Sequence, residues 1–92
     1  MYLAVAEASF RLPSAGSLKD KRQIRRKLLE GLRGRFGAAA AEVSDQDRHQ
    51  MLTVAWVLIG AQPSVLGPVL DRSVEWAMSV AGDPVHLEVD LK

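Results

Sequence analysis

The chain contains no cysteine, which excludes disulfide staples, thiolate metal sites and thiol catalysis together. A domain of 92 residues without staples must rely on its apolar core, and 48% apolar residues are enough to build one. Aromatics are scarce at 5%, and the strand-like segments lack the paired platform on which RNA-recognition motifs stack bases. No apolar run approaches the roughly 20 residues of a membrane helix. Met1 to Glu7 has no basic stretch ahead of its apolar residues and carries a carboxylate at position 7, unlike a secretory leader. These absences, and the fit of a cysteine-free chain to a reducing compartment, lead us to expect one soluble cytoplasmic domain spanning residues 1–92.

Charge is present but unevenly placed. The net value is +1. Residues 11–35 hold nine basic and two acidic residues, or +7, and the remainder holds three basic and nine acidic, or −6. The balanced total therefore describes a dipolar molecule.

The element pattern is short and alternating. Residues 2–12 are mostly apolar and end at Pro13, as a first strand would. Ser17, with Asp20 three residues on, makes a helix N-cap. From there Leu18, Ile24, Leu28, Leu29, Leu32 and Phe36 fall on one arc at about 100° per residue, with Gly37 as the stop. Four alanines at 38–41 favour helix by propensity. Their position between Gly37 and the polar turn at 44–47 nonetheless predicts a short second strand. Residues 52–60 are β-branched and aromatic, a third strand. A second helix is expected from a Ser64 cap to about Ala81, with Pro68 tolerated near its first turn. Val85, Leu87, Val89 and Leu91 alternate with His86, Glu88 and Asp90 in a last strand. The order βαββαβ predicts an α+β, ferredoxin-like domain: a four-stranded sheet with two helices on one face, and the first and third strands central. The third strand is apolar on both faces, and helices can cover only one. Sheet-to-sheet homodimerisation is the simplest cover for the other.

Three groups of residues could carry function. Lys19, Arg22, Arg26 and Arg33 form a ridge on the shoulder of the first helix, the ordinary electrostatic footprint for nucleic acid. The bland alternative is a solvated face paired with acids such as Asp71, Glu75 or Asp45. Lys21 and Arg25 fall inside the apolar arc. Their long stems are expected to snorkel past the sheet edge to water or a carboxylate such as Glu7 or Glu42, the alternative being a partly buried ion pair that fixes helix against sheet. The turn with Glu42, Asp45, Gln46, Asp47 and His49 is the densest polar cluster, but its spacing meets no metal motif and suggests no catalytic set. We therefore expect no metal, no cofactor and no enzymatic activity. Gly16-Ser17 lacks a glycine-rich phosphate loop and reads as a plain cap.

Arg11-Leu12-Pro13, Ser17-Leu18-Lys19-Asp20-Lys21-Arg22, Arg35-Phe36 and Ala41-Glu42-Val43 with Gln46-Asp47 and Gln50 resemble the YlxP-like family of uncharacterised bacterial proteins. The resemblance runs over essentially the whole chain and implies a ferredoxin-like fold. This sequence departs at Arg48-His49, where relatives carry an apolar and aromatic pair. The family has no established activity. Its genes commonly neighbour those for translation initiation factor 2 and ribosome-binding factor A, which implies a role in translation or ribosome maturation by association only. The expectation is a non-enzymatic RNA- or ribosome-associated factor that uses Lys19, Lys21, Arg22, Arg25, Arg26 and Arg33. The alternatives are a protein-interaction module, dimeric through its sheet with the basic helix meeting an acidic partner, and a small enzyme built on the 42–49 turn.

Overall fold

Alternation along the first strand, β1 (Tyr2–Arg11), sends Ala4, Ala6, Ala8 and Phe10 to one side, where all four are buried. The computed structural model describes residues 1–92. After β1 come α1 (Leu18–Phe36), β2 (Ala39–Ser44), β3 (Met51–Gly60), α2 (Pro63–Ala81) and β4 (His86–Leu91). The sheet order is β2-β3-β1-β4 with every pair antiparallel, so β1 and β3 are central as the pattern predicts. This is a ferredoxin-like α+β fold. Leu52, Val54, Trp56 and Leu58 of β3 join the buried face of β1, and Leu28, Leu32, Leu66, Leu70 and Ala77 from the helices close the core.

Local chemistry fixes the ends of α1. Ser17 Oγ accepts from the Asp20 amide at 3.2 Å, and Asp20 returns the favour to the Gly16 amide at 3.0 Å. At the other end Gly37 adopts φ 66°. Its amide donates to Arg33 O, the bond of an αL cap, and the Ala38 amide donates to Leu32 O. The alanine run is strand, as expected from its brackets, because pairing with β3 outweighs helix propensity. Helix α2 begins one residue before the expected cap. Gln62 caps it without a side-chain bond, and Pro63 opens the first turn, where its missing N–H costs nothing.

Trp56 explains a polar residue in the core. Its indole N–H donates to Ser73 Oγ at 2.9 Å, and that hydroxyl donates to Leu70 O at 2.7 Å. Both side chains are buried and satisfied. Where the helices cross, Gly31 faces Trp76, which stacks edge-on against Phe36 and lies under the Arg35 guanidinium at 5.2 Å.

Strand β4 departs from expectation. Leu87, Val89 and Leu91 lie opposite Ala8, Ala6 and Ala4 and so face the helix side, yet all three are exposed, Val89 by 53%. Helix α1 lies over β2 and β3 and α2 over β1 and β3, which leaves β4, packed mainly on β1, uncovered.

Candidate functional site: a basic helix, a pinned loop and an acidic sheet corner

The six cations proposed from sequence separate into two sets. Lys21 does not snorkel. It is 2% exposed, and its ammonium sits 2.8 Å from Glu42 Oε2 while donating to the carbonyls of Asp45 and Arg48. Glu42 Oε2 has no aligned hydrogen bond of its own, so the Lys21 charge is its partner. Arg25 lies on the other carboxylate oxygen at 3.3 Å and remains partly open to solvent. Arg33 donates to Ala40 O on the edge of β2 at 2.6 Å. These three cations therefore hold α1 to β2 and the following loop. Lys19, Arg22 and Arg26 are exposed, and none has an acidic partner within 4.0 Å. Asp71 and Glu75 pair with no cation, and Asp45 pairs with Arg48 at 3.4 Å. With Gln23, the three free cations line one shallow hollow along α1, spanning about 10 Å of axis.

The polar turn does not act as one cluster. Val43 lies in an irregularity of the β2–β3 register, so Glu42 faces the helices and Ser44 falls opposite Thr53 on the open face of the sheet. Asp45 follows with φ 63°, a left-handed conformation that Asp tolerates. Thr53 donates to Asp45 Oδ2 at 2.7 Å and shares a 2.8 Å bond with Ser9. That hydroxyl holds the Asp45 carboxyl below its ordinary pKa. The charges of Arg48 and Lys21 and the Ser44 hydroxyl act the same way, and partial desolvation acts against them. The loop is thus pinned from both sides, by Lys21 under its backbone and by Thr53 under Asp45. Gln46 lines a small crevice with Arg22 and Arg25, and Asp47 and His49 stay exposed without partners.

The open face of the sheet has two characters. Leu3, Val5, Ala39, Ala41, Ala55, Val57 and Ile59 make an apolar area, with Ile59 65% exposed. Across β1 and β4 the register instead sets Ser9 opposite His86, Glu7 opposite Glu88 and Val5 opposite Asp90. One atom from each of Glu7, His86 and Glu88 lies within 4.8 Å of the others. Sequence reasoning missed this corner because residue 7 is remote from residues 86 and 88 in the chain and meets them only through strand pairing.

The family model described as "Protein of unknown function (DUF503)" matches residues 3–86. The chain belongs to this family. No curated protein matches it. Among solved structures, this DUF503 member is similar to the protein At3g17210 from Arabidopsis thaliana, with 16% identity and a TM-score of 0.58 over 100% of this chain and 93% of that one. It is also similar to the de novo designed protein Foldit4, at 8% identity and a TM-score of 0.56 over 99% and 94%. SnoaB, a cofactor-independent oxygenase from Streptomyces nogalater, aligns at 8% identity and a TM-score of 0.51 over 99% and 90%. At such identities the likeness is one of fold.

Proposed function

We propose that this DUF503 chain is a non-enzymatic RNA- or ribosome-associated factor that contacts phosphates through Lys19, Arg22 and Arg26. Its resemblance to the YlxP-like bacterial proteins points the same way, through the translation genes beside which those proteins are encoded. The observation that carries the reading is three exposed cations on one helix face, none with an acid within 4.0 Å. A merely solubilising helix usually interleaves both signs. Arg25 borders the ridge and adds to its field.

The test is binding of ribosomal RNA and ribosomal subunits over a salt series, beside a Lys19→Ala, Arg22→Ala, Arg26→Ala variant. Three lost phosphate contacts flatten the log–log salt slope by about 2–3. Between roughly 50 and 200 mM salt those contacts account for about a 20–40-fold change in affinity. A folded variant that binds as tightly and with the same slope overturns the reading, as does a native protein that does not bind at low salt.

The exposed Ile59 beside Val57, Val5 and Leu3 supports a second reading, an interaction module that dimerises through the apolar part of its sheet. Glu7, Glu88 and Asp90 on the same face oppose burial of the whole sheet, because unpaired carboxylates are costly to desolvate. Sedimentation equilibrium decides it: a dimer split by Ile59→Asp supports this reading, and a native monomer removes it.

A further inference from the structure

The corner where β1 meets β4 places charge against charge. Glu7 and Glu88 are direct neighbours across the ladder, an arrangement that costs stability unless something positive lies between them. Glu7 stands near the middle of a central strand, half-buried, and accepts no hydrogen bond or ion pair from any side chain. The nearest basic side chain to the pair is His86, whose Nε2 lies 3.3 Å from Glu88 Oε1. Lys92, the other cation on β4's side of the sheet, is paired with Asp90 at 3.6 Å. The strand register alone brings these groups together, since His86 and Glu88 are two apart on one strand and Glu7 is opposite.

We propose that Glu7, His86 and Glu88 form a binding site for a divalent transition-metal ion of the zinc type. One imidazole and two carboxylates make a mixed nitrogen and oxygen set, which suits zinc and its neighbours better than magnesium or calcium. Donors held at about 2.0–2.2 Å from a tetrahedral ion lie about 3.3–3.6 Å apart, and the His86–Glu88 separation already has that length. All three reactive atoms fall within 4.8 Å of one another, so small rotations of the exposed Glu88 side chain close the set. A bound cation neutralises the Glu7–Glu88 repulsion and ties β4 to β1, the one strand on which β4 mainly packs. Three protein donors leave a coordination position open to water or a partner's ligand. The site lies in the sheet, away from the basic ridge of α1, and stands or falls independently of RNA binding.

The experiment is zinc competition against a chromogenic chelator, using the chelator-stripped full chain, followed by NMR of the imidazole protons. Only two histidines exist, His49 and His86, so the two ring signals are separable. The expected result is one zinc per chain, a perturbed His86 signal with His49 unmoved, and affinity at least about tenfold weaker in His86→Gln and in Glu7→Gln. Manganese should bind more weakly than zinc, in the usual order for such donors. His49→Gln should bind as the native chain does. Three results overturn the proposal: no stoichiometric uptake at submillimolar zinc, equal affinity in the folded Glu7→Gln variant, or perturbation of His49 in place of His86.

Discussion

Lys21→Met removes one buried cation while keeping an unbranched apolar stem in its channel. Three acceptors lose their donor at once: Glu42 Oε2 at 2.8 Å, the Arg48 carbonyl at 2.8 Å and the Asp45 carbonyl. Breaking a buried pair from one side costs about 3–5 kcal/mol, because the remaining charge stays desolvated. Glu42 keeps Arg25 on its other oxygen, and that guanidinium is 40% exposed, so the low end, about 3 kcal/mol, applies. Total stability for a domain of this size is about 5–15 kcal/mol. The variant should therefore melt about 12–24 °C below the native chain, at about 4–8 °C per kcal/mol. Urea unfolding followed by circular dichroism measures the free energy directly. Added salt should change the difference little, since the pair is shielded from the ion atmosphere. Adding Glu42→Gln to Lys21→Met should recover part of the loss by removing the orphaned charge. A loss under about 1 kcal/mol, or one that salt abolishes, has the size and behaviour of an exposed pair and would refute the buried anchor. The salt slope for RNA should be unchanged in this variant below its melting temperature, because Lys21 reaches no external phosphate.

Two further outcomes follow from the packing. Gly31→Ala gains about 1 kcal/mol of helix propensity but drives its Cβ to 1.9 Å from Trp76 Cη2. Overpacking of about 1–3 kcal/mol should win and lower the melting temperature, and a rise instead would mean that the indole swings clear. Asp45→Asn keeps the left-handed turn but removes a carboxylate whose folded pKa is depressed, chiefly by the Thr53 hydroxyl. The stability from that depression is present above the unfolded value of about 4 and is lost as pH falls through the lower folded value. The variant should be less stable near neutrality and show a shallower acid limb in a pH series of denaturant midpoints, and superimposable limbs would contradict the assignment.

Elements and their order were legible because propensity, capping and periodicity agreed with one another. The Gly37 stop and the strand in the alanine run are the clearest cases, the second resting on its flanks over its composition. Lys21 was visible as an anomaly on the apolar arc, and Glu42 was among the partners named for it, but the rest of its destination was not legible. That remainder is a pair of backbone carbonyls in a loop more than twenty residues away, and sequence carries no sign of main-chain acceptors. Ser73 had a usable signal, since it continues the buried spacing of Leu66, Leu70 and Ala77, and an indole in the core needs an acceptor. The exposure of β4 was hidden because alternation reports which way side chains point and not whether a helix lies above them. In the Glu7, His86 and Glu88 corner, alternation put His86 and Glu88 on one face, but Glu7 joins them only through register.

The position of β1 has a consequence for how the chain matures. This strand comes first in sequence, yet its two neighbours in the sheet, β3 and β4, come much later. Until they exist, a ten-residue segment that is to become a central strand stands with both edges unpaired, the kind of template that draws chains into aggregates. Its composition blunts that hazard. Ala4, Ala6 and Ala8 present little apolar surface on the face that will later be buried, and Glu7 interrupts the other face with a charge. A carboxylate in the middle of such a segment acts as a gatekeeper against self-association. The same residue that strains the finished sheet beside Glu88 thus guards the unfinished one, and its neutralisation would trade safety during synthesis for comfort in the native state.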